Sequence, residues 1–171
     1  GDSTFFASAI TGVVNAVYNQ ANMVLVVLDN STTAMTGHQP HPGTGRTVMG
    51  EIVQKINIEQ VLRGIGVTEI ETINPLELEA SVSCVKRMTE KSGVRAIIFK
   101  APCIAVTKPK APLHVDQDSC IGCKKCIRDL GCPAIVMNDG KICIDASMCT
   151  GCHLCSQVCP VCAIAGGDDH E

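Results

Sequence analysis

The chain has 171 residues, enough for one to one and a half domains of roughly 100–200 residues each and for a buried core. It is 46% hydrophobic yet only 2% aromatic, with three Phe, one Tyr and no Trp. It therefore lacks the ring platforms on which lectin-like and single-strand nucleic-acid surfaces stack their ligands. A net charge of −3 gives no electrostatic footprint for a nucleic-acid backbone, so no nucleic-acid partner is expected. No apolar run approaches the roughly 20 residues of a membrane span, so no membrane partner is expected either. Gly1-Asp2-Ser3 opens into a patterned segment without a basic leader, which reads as no signal peptide. Cysteine is the extreme number: twelve in all, none in the first 83 residues, eight of them in two runs between 120 and 159. Clustered thiols without an export leader point to metal and to a reducing, anaerobic cytoplasm.

In chain order, Phe6–Gln20 places Ile10, Val13, Val14, Val17 and Tyr18 at helical spacing. Asn22–Leu28 is an almost uninterrupted β-branched run, as expected of a strand buried on both faces of a parallel sheet. Asp29–Gly45, rich in Gly, Pro, Thr and His, is too long for a plain connector and reads as a functional loop. Ile58–Gly64 predicts a short helix and Val67–Ile73 a short strand. Asn74 then caps a helix with Pro75 at its first position, running to about Lys91 with Gly93 just beyond. Val94–Lys100 is another apolar strand. This alternation predicts an α/β parallel sheet. Residues 101–115, with three prolines, read as a linker, so the domain boundary falls near residue 110. Beyond it come two cysteine runs, a hairpin over Ile135–Ile144 turning at Asn138-Asp139-Gly140, and an acidic tail at 168–171 expected to fray.

The first run is Cys120, Cys123 and Cys126, then five residues to Cys132-Pro133. The second is Cys149, Cys152 and Cys155, then three residues to Cys159-Pro160. The second matches the iron–sulfur spacing C-x2-C-x2-C-x3-C-P at every position. Three thiolates two residues apart wrap one face of a cubane, with Gly122 and Gly151 letting the backbone close on it. The fourth comes from further along the chain. In two-cluster proteins that fourth cysteine serves the other cluster, which would pair run one with Cys159 and run two with Cys132. The two extra residues before Cys132 lengthen its segment by roughly 3 Å if helical, so Cys132 folding back, or Cys143 or Cys162 substituting, stays open. Structural zinc commonly takes two separated pairs of ligands, and two triplets exceed what one ion needs. Two [4Fe–4S] clusters are the expectation, over zinc or disulfides. Cys84, Cys103, Cys143 and Cys162 read as small hydrophobes.

Asp2 before a helix and Asn30 after a strand place hard oxygen ligands where α/β sheets bind their ligands, at the carboxyl ends of strands. With a loop carbonyl they suit Mg²⁺, and the Ser3–Thr4 turn offers N–H groups to an anion. Simple caps and turns would use the same residues. His38 and His41 read either as solvated loop residues or as groups that move protons or recognise a substrate carboxylate.

The GDS…DN spacing resembles the thiamine diphosphate signature, GDG followed about two dozen residues later by NN. More closely, GDSTFF, NAVYNQAN and LDNSTTAMTGHQPHPGTG followed by tandem cysteine runs resemble the large subunit of indolepyruvate:ferredoxin oxidoreductases, over essentially the whole chain. The resemblance implies a partial thiamine diphosphate-binding parallel-sheet domain at 1–110 and a small α+β two-cluster ferredoxin-like domain at 111–171. It makes Asp2, Asn30 and the Thr32 carbonyl Mg²⁺ ligands. It sets Ser3, Thr4, Thr36, Gly37 and Gln39 beside the cofactor. The implied activity is oxidative decarboxylation of an aryl 2-oxoacid to an acyl-CoA, with coenzyme A as acceptor, electrons leaving through the clusters to ferredoxin, and a small (beta) subunit as partner. Two positions depart from the pattern. Ser3 stands where the general signature has glycine, and Ala7 stands where this branch usually has histidine. The strand presenting Asp2 and the domain carrying the aminopyrimidine glutamate have no counterpart here, so a missing N-terminal part of the subunit or a split partner is expected. A free-standing iron–sulfur electron-transfer module with a vestigial cofactor domain is the alternative; diphosphate binding separates the two.

Overall fold

The computed structural model describes residues 1–166, and the chain divides into two units, Gly1–Thr107 and the residues from Lys108 onward. The acidic tail expected at 168–171 lies outside the described residues.

The first unit opens with one continuous helix built from α1 (Asp2–Thr4), a π-helical stretch (Phe5–Ala9) and α2 (Ile10–Tyr18). It starts at Asp2 rather than Phe6, because the Phe5 N–H donates to the Gly1 carbonyl at 2.9 Å and closes the first turn. An acid in that turn is favoured by the helix dipole. Val13 and Ala16 are buried and Ile10 and Val17 pack beside them, whereas Val14 and Tyr18, expected on the apolar stripe, lie on the adjoining face and are exposed.

Strands β1 (Met23–Asp29), β2 (Glu69–Ile73) and β3 (Val94–Lys100) form a parallel sheet in the order β1-β3-β2. The register sets Asp29 level with Lys100, so the carboxyl ends of β1 and β3 align. β3 is the central strand, and Ala96, Ile97 and Ile98 are buried along it. β1, expected to be buried on both faces, lies at the edge of the sheet that the described residues form. As the edge strand it buries Val27, while Val26 and Leu28 on its other face are exposed. Helix α3 (Ile58–Ile65) is capped by Asn57, whose side chain accepts from the Gln60 N–H, and buries Ile58 and Leu62. With Phe5, Val13, Val27, Val67 and Ile98 these form the core on one face of the sheet. Helix α4 (Leu78–Glu90) lays Cys84 and Met88, one turn apart, on Ile97 of the other face. It begins later than expected. Asn74 accepts from the Leu76 N–H in a turn of its own, and Glu77 is the residue that precedes the helix.

The second unit contains β4 (Leu113–Val115), α5 (Lys125–Leu130), β5 (Ile135–Asn138), β6 (Lys141–Ile144), α6 (Leu154–Val158) and β7 (Ile164–Gly166). The hairpin β5–β6 turns at Asp139 and Gly140, both with positive φ as a type I′ turn requires. β4 pairs antiparallel with β7. The end of the expected linker is therefore a strand of this unit, paired with Ile164–Gly166. No helix among the described residues is long and apolar enough to cross a membrane.

Candidate cofactor and cluster sites

Asp2 is 1% exposed, the most deeply buried charged group among the described residues. It stands in the first helical turn, at the start of α1. The loop after β1 closes on it: the Ser31 N–H donates to its Oδ2 at 2.9 Å and the Ser3 N–H to its Oδ1 at 2.9 Å. Asn30 and Thr32 flank that Ser31 contact. The Thr32 N–H donates to Asn30 Oδ1 at 3.2 Å, and Thr32 is buried. A carboxylate, an amide oxygen and a carbonyl are oxygen donors of the kind a hard divalent cation takes. The residues present thus fit Mg²⁺.

A hollow beside this set is lined from the helix by Ser3, Thr4, Phe6 and Ala7 and from the loop by Thr36 and Gln39. Four of the expected cofactor-binding residues, Ser3, Thr4, Thr36 and Gln39, therefore share one surface. The loop's shape is local: the Thr33 N–H donates to the Gln39 carbonyl and the His38 N–H to the Thr33 carbonyl, while Thr36 and Gln39 bond to each other. Gly37 ends the short helical turn Ala34–Thr36, outside the lining. The two histidines part company here. His38 is exposed. His41 has a side chain only 6% exposed, with Nε2 3.2 Å from Asp2 Oδ2.

In the second unit each cysteine run makes a loop that enters a short helix through a left-handed residue, Lys124 (φ 59°) in one and His153 (φ 61°) in the other. A hollow is lined by Cys120, Cys123 and Cys126 of run one together with Cys159. Burial raises the Cys126 thiol pKa, and Cys123 and Cys159 add to the rise. Burial pushes Cys155 up to about 11, helped by Cys152, Cys149 and Cys132. Each buried thiol thus has its own run and the fourth cysteine of the other run as neighbours. Thiolate is the ligand form, so metal must displace these protons. Among the described residues no three His, Cys, Asp or Glu side chains converge on a point for a single ion; the run-one thiols and Cys159 instead ring a hollow. The two extra residues of run one go into a helix of six residues instead of five and into Gly131, which turns the chain with φ 57° before Cys132.

The other cysteines differ in setting. Cys84 is fully buried in the α4 core, Cys103 and Cys143 are half-buried, and Cys162 is exposed. Sequence reasoning missed the packing of Gly151. A side chain there would meet the Ala111 carbonyl and Lys110 at 2.7 Å, because the segment leading into β4 lies across the second cysteine loop. The alternation Leu113-His114-Val115 was the one available signal for that strand.

Residues 1–99 match the model of the thiamine pyrophosphate enzyme C-terminal TPP binding domain, and residues 113–160 that of the 4Fe-4S dicluster domain. The chain is 46% identical over 166 residues to indolepyruvate oxidoreductase subunit IorA of Methanothermobacter thermautotrophicus, covering 96% of this chain and 27% of that protein. It is 41% identical to subunit IorA of Archaeoglobus fulgidus over the same shares. Against the subunit of Thermococcus kodakarensis it is 40% identical, over 94% of this chain and 26% of that one. The chain thus spans about a quarter of the length of the relatives it matches. No solved structure gives a significant match. With a match over residues 1–99 and iron–sulfur runs behind it, the chain belongs to the thiamine pyrophosphate enzymes, through their C-terminal TPP binding domain.

Proposed function

We propose that this chain is the diphosphate-binding and electron-transfer portion of an oxidoreductase that oxidatively decarboxylates aryl 2-oxoacids such as indolepyruvate. Electrons leave through two [4Fe–4S] clusters to ferredoxin, and coenzyme A takes the acyl group. Thiamine diphosphate, when bound, supplies the electron sink for decarboxylation, and the clusters supply one-electron steps. Asp2, Asn30 and the Thr32 carbonyl would hold Mg²⁺, with Ser3, Thr4, Thr36, Gly37 and Gln39 around the cofactor. Cys120, Cys123, Cys126 and Cys159 would hold one cluster, and Cys149, Cys152, Cys155 and Cys132 the other. The rest of a larger subunit and a small beta subunit would complete the enzyme, since the relatives named indolepyruvate oxidoreductase subunit IorA are about four times as long.

The observation that carries this reading is the Asp2 carboxylate, buried and clamped by the Ser31 N–H, in the same chain as two thiol loops. The test is the complete assembly purified without oxygen. It should carry about eight irons per copy of this chain and bind thiamine diphosphate only with Mg²⁺. Asp2→Ala should abolish that binding and leave the iron content unchanged. Normal binding and turnover in Asp2→Ala would refute the site. Equal specificity constants for indolepyruvate and pyruvate in competition would remove the aryl preference.

A further inference from the structure

We infer that His41 is a positioning residue: its Nε2 edge fixes the Asp2 carboxylate in the orientation the divalent cation needs. The inference rests on the Mg²⁺–diphosphate reading of the Asp2 site and goes beyond it, because nothing in that reading requires a histidine.

Two contacts hold the ring, and two more hold its backbone. The Gly43 N–H donates to His41 Nδ1 at 3.2 Å, which assigns the proton of the neutral ring to Nε2. The ring packs on Phe6 with centroids 5.8 Å apart, and Phe6 stands edge-on to the buried Phe5 at 5.3 Å. The His41 backbone is clamped as well. Thr44 Oγ1 accepts from the His41 N–H and donates to its carbonyl at 2.8 Å. A side chain at Gly43 would meet Phe6 at 2.9 Å and His41 at 3.0 Å, so the turn admits only glycine without displacing the ring.

Nε2 then lies 3.2 Å from Asp2 Oδ2, with both side chains almost wholly buried. No acceptor is aligned with its N–H, and the atom is sealed from solvent. His41 lines the hollow beside Asp2, but its Nε2 edge is buried against the carboxylate, the placement of a positioning residue. The Asp2 carboxylate already accepts from the Ser3 and Ser31 N–H groups, and the buried Nε2 edge of the held His41 ring, 3.2 Å from Oδ2, closes a further side of that clamp. An N–H holding a ligating carboxylate from behind is how outer groups orient metal ligands, and losing one typically costs about 10–100-fold in metal affinity.

The test compares variants of the complete assembly by Mn²⁺ titration (followed by its magnetic resonance signal), by Mg²⁺-dependent thiamine diphosphate binding, and by kcat. His41→Gln keeps a donor near the Nε2 position; His41→Asn keeps only an acceptor near Nδ1; His41→Leu keeps neither. The expected result is loss of about 10–100-fold in Mn²⁺ affinity in the Leu and Asn variants. His41→Gln should stay within about threefold of the parent in both affinity and kcat, a change of at most about 0.7 kcal/mol. Parent-like Mn²⁺ affinity in His41→Leu would overturn the inference, as would a His41→Gln that falls as far as His41→Leu. A His41→Gln that binds normally but loses turnover would also overturn it, in favour of proton transfer. Asp2→Ala is the control: if it alone loses metal, the positioning role falls and the site stands; if it keeps metal, the site itself falls.

Discussion

The two units are held together by different means. The first buries Leu62, Met88, Ile97, Val67 and Phe5 almost completely, on both faces of a three-stranded sheet. The second has two two-stranded sheets, which are marginal alone, and among its described residues Leu113, Ile135, Ile142 and Ile164 are the largest that are buried, with no Phe or Met beside them. Two of its buried side chains, Cys126 and Cys155, are thiols. A core of that size does not hold a unit this small without a staple. The thiol loops thus supply part of what the second unit buries, whereas Asp2 sits beside an apolar core that contains no thiol.

The largest expected effect follows directly. Stripping iron with a chelator, or exposing the protein to air, should unfold the unit from Lys108 onward while the parallel sheet stays folded. Amide exchange would show it: protection lost across residues 113–166 and kept along β3. Retained protection in the second unit without metal would show that its apolar contacts suffice. The converse change is Leu62→Ala, which opens a cavity in the first unit. It should cost about 2–5 kcal/mol there, measured by denaturant unfolding, with iron content unaltered.

The same contrast explains what was legible in the sequence. The cysteine spacing, the strands around Val24–Leu28 and Val94–Lys100, and the turn at Asp139-Gly140 are local patterns, and local physics produces them. The exposure of Val26 and Leu28 was not legible, because it depends on which strand occupies the sheet centre, and β3 comes from about 70 residues later in the chain. The approach of His41 to Asp2 and the pairing of Leu113–Val115 with Ile164–Gly166 join residues far apart in sequence, and no periodicity announces either. The start of α4 was misread because Asn74-Pro75 forms a turn that imitates a helix cap.

Within the second unit the comparison sharpens to which thiol serves which loop. If each cluster draws its fourth ligand from the other run, Cys132→Ala should perturb the cluster of Cys149, Cys152 and Cys155. Cys159→Ala should perturb the cluster of Cys120, Cys123 and Cys126. Low-temperature resonance spectra of the two variants, read against Cys123→Ala and Cys152→Ala, would assign them. Loss of the same signal in Cys132→Ala and Cys123→Ala would refute the crossed arrangement. The neighbours of Cys126 and Cys155 favour crossing, and the amide of Ala163 donates to Cys159 Sγ at 3.3 Å, fixing that sulfur near run one.

The smallest expected effect separates the two loops by their cover alone. Gly122 and Gly151 occupy matching places in the two runs with nearly the same left-handed backbone, φ 65° and 68°. An alanine at either pays the same conformational penalty, roughly 1 kcal/mol relative to glycine. Their surroundings differ. Nothing lies within 4 Å of a side chain at Gly122, whereas one at Gly151 would run into the Ala111 carbonyl and Lys110 at 2.7 Å. The Ala111 carbonyl is backbone, which does not swing aside, and the Lys110 N–H is itself bonded to the Thr150 carbonyl at 3.2 Å. Gly151→Ala should therefore lift the segment leading into β4, break that bond and loosen the second loop, while Gly122→Ala shows the conformational term only. The measurable difference is the rate of iron release to a chelator: faster in Gly151→Ala than in Gly122→Ala, with the signal of the Cys149, Cys152 and Cys155 cluster decaying first. Equal rates in the two variants would mean that the covering segment contributes nothing to holding the second loop, and that the asymmetry between the loops is one of shape without consequence for stability.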